Sequence, residues 1–334
     1  MKSGICISLL FLLLSSCTEK KEYSRFAGMT QGTTYSVVFE NNDGMDPVDM
    51  KAETDSILAR FDMSLSLYKD SSIVSKINRN EEVIPDRWFS DVFLRSKEIF
   101  RLTGGAFDIT VAPLVKAWGF GPDERRINDH ELIDSLRNLV GLDKVVLRDG
   151  RIIKKDERIM LDFNAIAQGY AVDVIASFLD EHGIGSYLVE IGGEVRVKGD
   201  KGGSLWKIGI DRPVDNNLSP GSDLTAVIEM KDRSLATSGN YRKFYVEDGI
   251  KYSHTIDPRT GYPARNRLLS ATILASECYA ADAVATACMV MGKDKTIEFL
   301  GRHPEFDAYL VYSDEEGNFR TWMTDSMKGF ISQY

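Results

Sequence analysis

The order of the secondary-structure signals constrains this chain more than any other feature. Residues 26–40 alternate as a strand, and the pattern is then mostly helical as far as residue 140. Amphipathic stretches cover 48–61 and 89–102, the second stopped by Gly104-Gly105. Asp70 or Ser71 is placed to cap a short helix through Ile77, one or two helical turns are expected from Pro113 to Trp118, and Asp129 caps a helix through Val140. From residue 144 onward short strand signals dominate. Segments 144–147 and 152–154 flank Asp149-Gly150, which suits a two-residue hairpin turn. A short apolar strand at 159–163 runs into a helix over about 165–182. Strands follow at 187–191, 195–198, 206–211, 224–230, 244–246, 252–256 and 269–275, with a hairpin at Asp248-Gly249. A helix over about 278–291, a shorter helix and a closing hairpin at Glu316-Gly317 end the chain. Strands and helices mixed without regular alternation predict an α+β fold of mixed, largely antiparallel sheets with packed helices, not a doubly wound sheet.

The first residues read as a targeting segment. An apolar run over 5–14 follows Lys2 and ends in Ser15-Ser16-Cys17. It is too short for a comfortable membrane span and has the layout of a secretory signal. Residues 14–17 resemble a bacterial lipoprotein box, in which Cys17 carries lipid. The expected organisation is a signal peptide over 1–16, a lipidated linker over 17–25 and one domain over 26–334, tethered to the bacterial cell envelope on its extracytoplasmic, periplasmic face. Cys278 and Cys288 remain; on one helix they lie roughly 15 Å apart along its axis, too far for a disulfide, so both are expected free and buried.

Of 334 residues, 41 are Lys or Arg and 50 are Asp or Glu, a net charge of −9. That balance argues against nucleic acid, which needs a basic footprint. It permits an anionic ligand met by a metal or by backbone amides. The sequence contains no P-loop and no strand–GxGxxG–helix unit, so a nucleotide would have to bind by another scheme.

Five segments carry candidate chemistry. In TGGAFDITVAPLVKAWGFGP (103–122), Asp108 follows a small apolar patch. In LDFNAIAQGYAVD (161–173), Asp162 stands at a strand end and Asn164 is a plausible helix N-cap. Gly192-Gly193 falls between two strands, where a bulge is the plain reading. In SHTIDPRTGYP (253–263), His254 and Asp257 have the spacing of an acid/base pair. In AADAVAT (280–286), Asp282 and Thr286 share one face of a helix otherwise made of small apolar residues. An aspartate there is costly unless paired or metal-bound, and Asp and Thr oxygens suit a hard cation such as Mg²⁺.

In this order, the five segments resemble the ApbE family of FAD:protein FMN transferases, and the likeness runs from about Met29 to the C-terminus. The resemblance implies Mg²⁺-dependent transfer of FMN from FAD to a Thr or Ser hydroxyl of membrane redox proteins, with release of AMP. By motif position, Met29, Tyr68, Ala106, Phe107 and Asp108 would line the FAD site. Asp162 would contact the adenosine end, with Gln168 and Ile256 nearby. The Ala165 carbonyl, Asp282 and Thr286 would hold Mg²⁺ on the pyrophosphate, and His254 would be the catalytic histidine. Gln168 stands where family members often carry Lys or Glu, and Glu194 replaces the commoner Asp. Two other readings share these features: an FAD diphosphatase, with water as nucleophile, and a lipoprotein that only binds flavin.

Overall fold

The computed structural model describes residues 21–332 apart from 121–128, 214–220, 222, 241–243 and 248–249. Cys17, the segment before it and the Asp248-Gly249 turn therefore lie outside the described residues. The strand expected over 26–40 is an antiparallel hairpin, β1 (Tyr23–Thr30) and β2 (Thr33–Glu40). Gln31 and Gly32 turn it with φ of 49° and 74°, as a two-residue hairpin requires. Among the described residues the first strand starts at Tyr23, inside the stretch expected to be linker.

Helices α1 (Pro47–Leu65), α2 (Ile73–Asn78), α3 (Arg87–Leu102), α4 (Ala112–Ala117) and α5 (His130–Arg137) follow. Asp46, Asp86 and Asp129 cap α1, α3 and α5 by accepting first-turn N–H groups. Ser72, and not the expected Asp70 or Ser71, caps α2. Next comes a two-stranded ribbon, β3 (Val145–Arg148) and β4 (Arg151–Lys154), turned at Asp149-Gly150. The apolar segment 159–163 is not a strand. Its Leu161 N–H and carbonyl both bond to the Asn78 side-chain amide, which stands in for a neighbouring strand.

The second half supplies α6 (Ala167–Glu181), β5 (Tyr187–Ile191), β6 (Glu194–Lys198), β7 (Trp206–Asp211), β8 (Leu224–Met230), β9 (Arg233–Gly239), β10 (Phe244–Glu247), β11 (Ile250–Ser253), β12 (Leu268–Ala275), α7 (Cys278–Met291), α8 (Lys293–Arg302), β13 (Asp307–Ser313), β14 (Phe319–Met323) and β15 (Ile331–Ser332). Eight strands form one sheet in the order β1-β2-β5-β6-β9-β12-β13-β14, with every neighbouring pair antiparallel. Helices α6 and α7 lie on one face, against β5, β6, β9 and β12, and enclose the main apolar core. The other face is covered by a three-stranded sheet, β15-β8-β7, whose Trp206, Ile228 and Met230 meet Val195, Val197, Leu235 and Leu274. A third cluster joins Leu114, Trp118 and Ile133 to Ile256. Both Cys278 and Cys288 are free and buried in α7. Among the described residues no helix is long and apolar enough to cross a membrane.

Candidate active site

At Gly169, in the first turn of α6, the two helices α6 and α7 approach closely. A Cβ there would lie 2.5 Å from the Cys278 carbonyl oxygen and 2.8 Å from the Asp282 Cβ, so glycine alone permits this approach. The Gly169 N–H, whose acceptor in a longer helix would be the Ala165 carbonyl, donates instead to Asp282 Oδ2 at 3.0 Å. One turn along α6, the Asp173 carboxylate accepts the Cys278 and Tyr279 N–H groups, each at 2.9 Å. Glu277, at the N-cap of α7, makes no side-chain cap, and Asp173 fills that role from the neighbouring helix. Arg196 of β6 donates to Asp173 at 2.6 Å and also to Glu277.

Asp282 is the fifth residue of α7 and 6% exposed, so it is no cap on a frayed helix start. Burial pushes its carboxyl well above the usual carboxylate range; the Gly169 N–H opposes this and the charge of Asp173 adds to it. Burial likewise pushes Asp173 up to about 6, against the pull of Arg196 and two backbone N–H groups. Thr286, one turn beyond Asp282 and half-buried, lies with its hydroxyl 3.2 Å from that of Ser238 on β9. Ala165 is half-buried in the turn leading into α6.

This arrangement fits a hard divalent cation. A carboxylate this buried is costly to ionise without a positive partner. On α7 itself, Asp282 and Thr286 present a carboxylate and a hydroxyl, both oxygen donors, one turn apart. Among the described residues no group of three His, Cys, Asp or Glu side chains could hold a metal, so a cation here would draw on hydroxyl or backbone oxygens beside Asp282.

Two of the other candidate segments are joined to each other, and a third packs separately around Trp118. The Asp162 N–H donates to the Ile109 carbonyl at 2.7 Å, joining its segment to that of Asp108. Asp162 is half-buried, and its Oδ1 accepts the Asn164 N–H at 2.8 Å. Asn164 is thus part of this turn and not the N-cap; Ile166 precedes α6 and makes no side-chain cap. Gly192-Gly193 is a tight hairpin turn between paired Ile191 and Glu194, not a bulge. It rests on α6: a Cβ on Gly192, whose φ is 65°, would lie 2.9 Å from Gln168 Nε2.

Asp108 is buried and accepts from the Thr110 N–H (2.8 Å), the Thr110 hydroxyl (2.6 Å) and the Leu142 N–H (3.2 Å). Burial nevertheless pushes its carboxyl up to about 6. Its side chain therefore organises the loop from within. Ala106 and Phe107, each 1% exposed, belong to the main core. Met29 (71% exposed) and Tyr68 (68%) are instead large apolar side chains open to a ligand.

His254 is half-buried, and its ring meets the edge of Phe120 with centroids 6.4 Å apart. Ile256 is buried beside Trp118, whose indole N–H donates to the Gly261 carbonyl at 2.8 Å. The Asp257 carboxylate accepts from the Arg259 N–H and guanidinium, each at 2.9 Å, and so organises the turn. Sequence reasoning passed over Gly169, Asp173, Arg196 and Ser238 as individual residues. For the first two a signal existed, since residues 169 and 173 share one face of the predicted helix; the last two depend on strand pairing.

The ApbE family profile matches residues 31–310. A protein of Vibrio cholerae serotype O1 named FAD:protein FMN transferase is 33% identical over 340 aligned residues, covering 100% of each chain. Among solved structures, the flavin transferase ApbE from Vibrio cholerae superposes with a TM-score of 0.83 at 33% identity, covering 93% of this chain and 99% of that one. The apo flavinyl transferase ApbE of Pseudomonas stutzeri gives 0.83 at 32% identity, covering 93% and 97%.

Proposed function

From the premise that this chain belongs to the ApbE family and is a transferase of FMN from FAD to protein, we propose that it uses Mg²⁺, acts on a Thr or Ser hydroxyl and releases AMP. The observation that carries this reading is the buried Asp282, aligned with Thr286 on α7 and held by the Gly169 N–H of α6. Asp282, Thr286 and the Ala165 carbonyl would hold the ion. Bound there, Mg²⁺ supplies the positive charge that the FAD pyrophosphate needs and that an acidic chain does not offer.

The protein's own part is alignment and proton transfer. Exposed Met29 and Tyr68 would offer apolar surface to FAD beside the loop of Asp108, while Asp162, with Gln168 and Ile256, would shape the adenosine end. The acceptor oxygen attacks the FMN-side phosphorus in line. A new P–O bond forms to the acceptor, the pyrophosphate bridge breaks, and AMP departs with the bridging oxygen. His254 takes the hydroxyl proton as a general base. The acceptors are membrane redox proteins, reached from a lipid anchor on Cys17 at the extracytoplasmic face of the envelope.

The test incubates the protein with FAD, Mg²⁺ and a candidate acceptor bearing a Thr or Ser. Intact mass should show FMN added to the acceptor, with equimolar AMP, and EDTA should abolish both. Transfer that survives EDTA, or that leaves FMN on another residue type, overturns the reading.

A further inference from the structure

We propose that Asp173 and Arg196 are positioning residues for the cation site: they lock the register of α7 against α6 and thereby place Asp282 and Thr286. This rests on the metal reading of Asp282. The two helices are joined by two rungs of opposite sense. In one, the Gly169 N–H of α6 donates to the Asp282 carboxylate of α7. In the other, the Cys278 and Tyr279 N–H groups of α7 donate to the Asp173 carboxylate of α6. Residues 169 and 173 are four apart on α6, and 278 and 282 are four apart on α7, so the rungs are separated by about one turn, roughly 6 Å, on each helix. Sliding α7 by one residue breaks both rungs at once. One rung alone would leave α7 free to pivot about it; two fix its height and its rotation.

Arg196 makes the second rung tenable. Its guanidinium, on β6 beneath the helices, contacts both Asp173 and Glu277, which flank the first turn of α7. The Asp173 side chain is 11% exposed, so its charge would otherwise be nearly buried without a counter-ion. Helix α7 is in this way tied to the sheet as well as to α6. The cation ligands sit one and two turns further along the same rigid helix, where a shift at its start is carried directly to Asp282 and Thr286.

The test measures Mn²⁺ binding to the full folded domain in the presence of FAD, by loss of the free-ion EPR signal, well below each variant's melting temperature. Asp173→Asn and Arg196→Met should weaken Mn²⁺ binding roughly ten- to a hundredfold, as loss of groups that orient metal ligands commonly does. Arg196→Lys, which keeps the charge and loses the two-sided fork, should fall between them and the parent, and it carries the test should Asp173→Asn not fold. Val284→Ala weakens the packing of α7 without touching either rung and should keep the parent affinity. Parent-like Mn²⁺ binding in Asp173→Asn and both Arg196 variants overturns the proposal, as does equal weakening in Val284→Ala. Asp282→Ala separates the two levels: if it loses Mn²⁺ while the positioning variants keep it, only the register lock fails. If it keeps Mn²⁺, the metal reading fails and the proposal with it.

Discussion

Two residues of the candidate site make contrasting claims on their surroundings. His254 is half-buried against Phe120, and the hydrogen bonds gripping Asp282 come from other segments. Replacing it with Asn should therefore leave FAD affinity and melting temperature near the parent values while slowing transfer. General-base contributions are typically about 10²–10⁴-fold. Parallel loss of stability and activity would instead mark the histidine as structural. Asp108, by contrast, is closed in by its own loop and should report on folding. It keeps its proton up to about pH 6 in the fold, against 3.8 ordinarily. Below 3.8 both folded and unfolded chains hold that proton. Between the two values the folded chain binds more, so this residue's contribution to stability declines as pH rises from about 4 to about 6, then levels. The decline should be on the order of 1–3 kcal/mol, and Asp108→Asn should flatten that part of the stability–pH curve, measured by urea melts. A curve unchanged by the substitution would show that Asp108 titrates in the fold as it does in the unfolded chain.

Among the elements, the contact between α6 and α7 decides most. Gly169→Ala would drive a Cβ to 2.5 Å from the Cys278 carbonyl. Neither helix backbone can yield there without disturbing the other, so a loss of about 1–3 kcal/mol is expected, together with weaker metal-dependent transfer. Parent-like melting and turnover in this variant would mean that the helices have slack. How far such elements can be read from sequence depends on what stabilises them. Helix α7 is legible from its run of small apolar residues, and α1, α3 and α5 from their amphipathic faces and acidic caps. The Asp149-Gly150 turn declares itself through residues that tolerate positive φ. Strand β9 does not: RSLATSG shows no apolar alternation, because β6 and β12 flank it and short side chains suffice on both faces. Segment 159–163 misleads in the opposite direction, since its apolar residues are core but the backbone of Leu161 pairs with a side chain, Asn78, and not with a strand. The site follows the same division. Asp282 and Thr286 can be paired on one helix from their spacing alone, whereas the partnership of Asp173 with Arg196 exists only once a helix and a strand have met.

Taken whole, the molecule is one eight-stranded antiparallel sheet with helices on one face and a small sheet on the other, and its first strand begins at Tyr23, on the edge of the large sheet. With Cys17 lipidated as proposed, Cys17→Ser should release the protein from membranes, read by fractionation and by the mass of the mature N-terminus. Unchanged fractionation without lipid mass would remove the anchor. The early start of β1 then limits the leash. Only residues 18–22 separate the anchor from the fold, and a fully stretched chain covers about 3.3–3.6 Å per residue, so β1 starts within roughly 20 Å of the lipid headgroups. An enzyme held that closely cannot patrol the surrounding aqueous compartment. So anchored, it would meet its acceptors by lateral diffusion in a plane, and a hydroxyl carried far above the membrane surface would stay out of reach however well its sequence fitted the site.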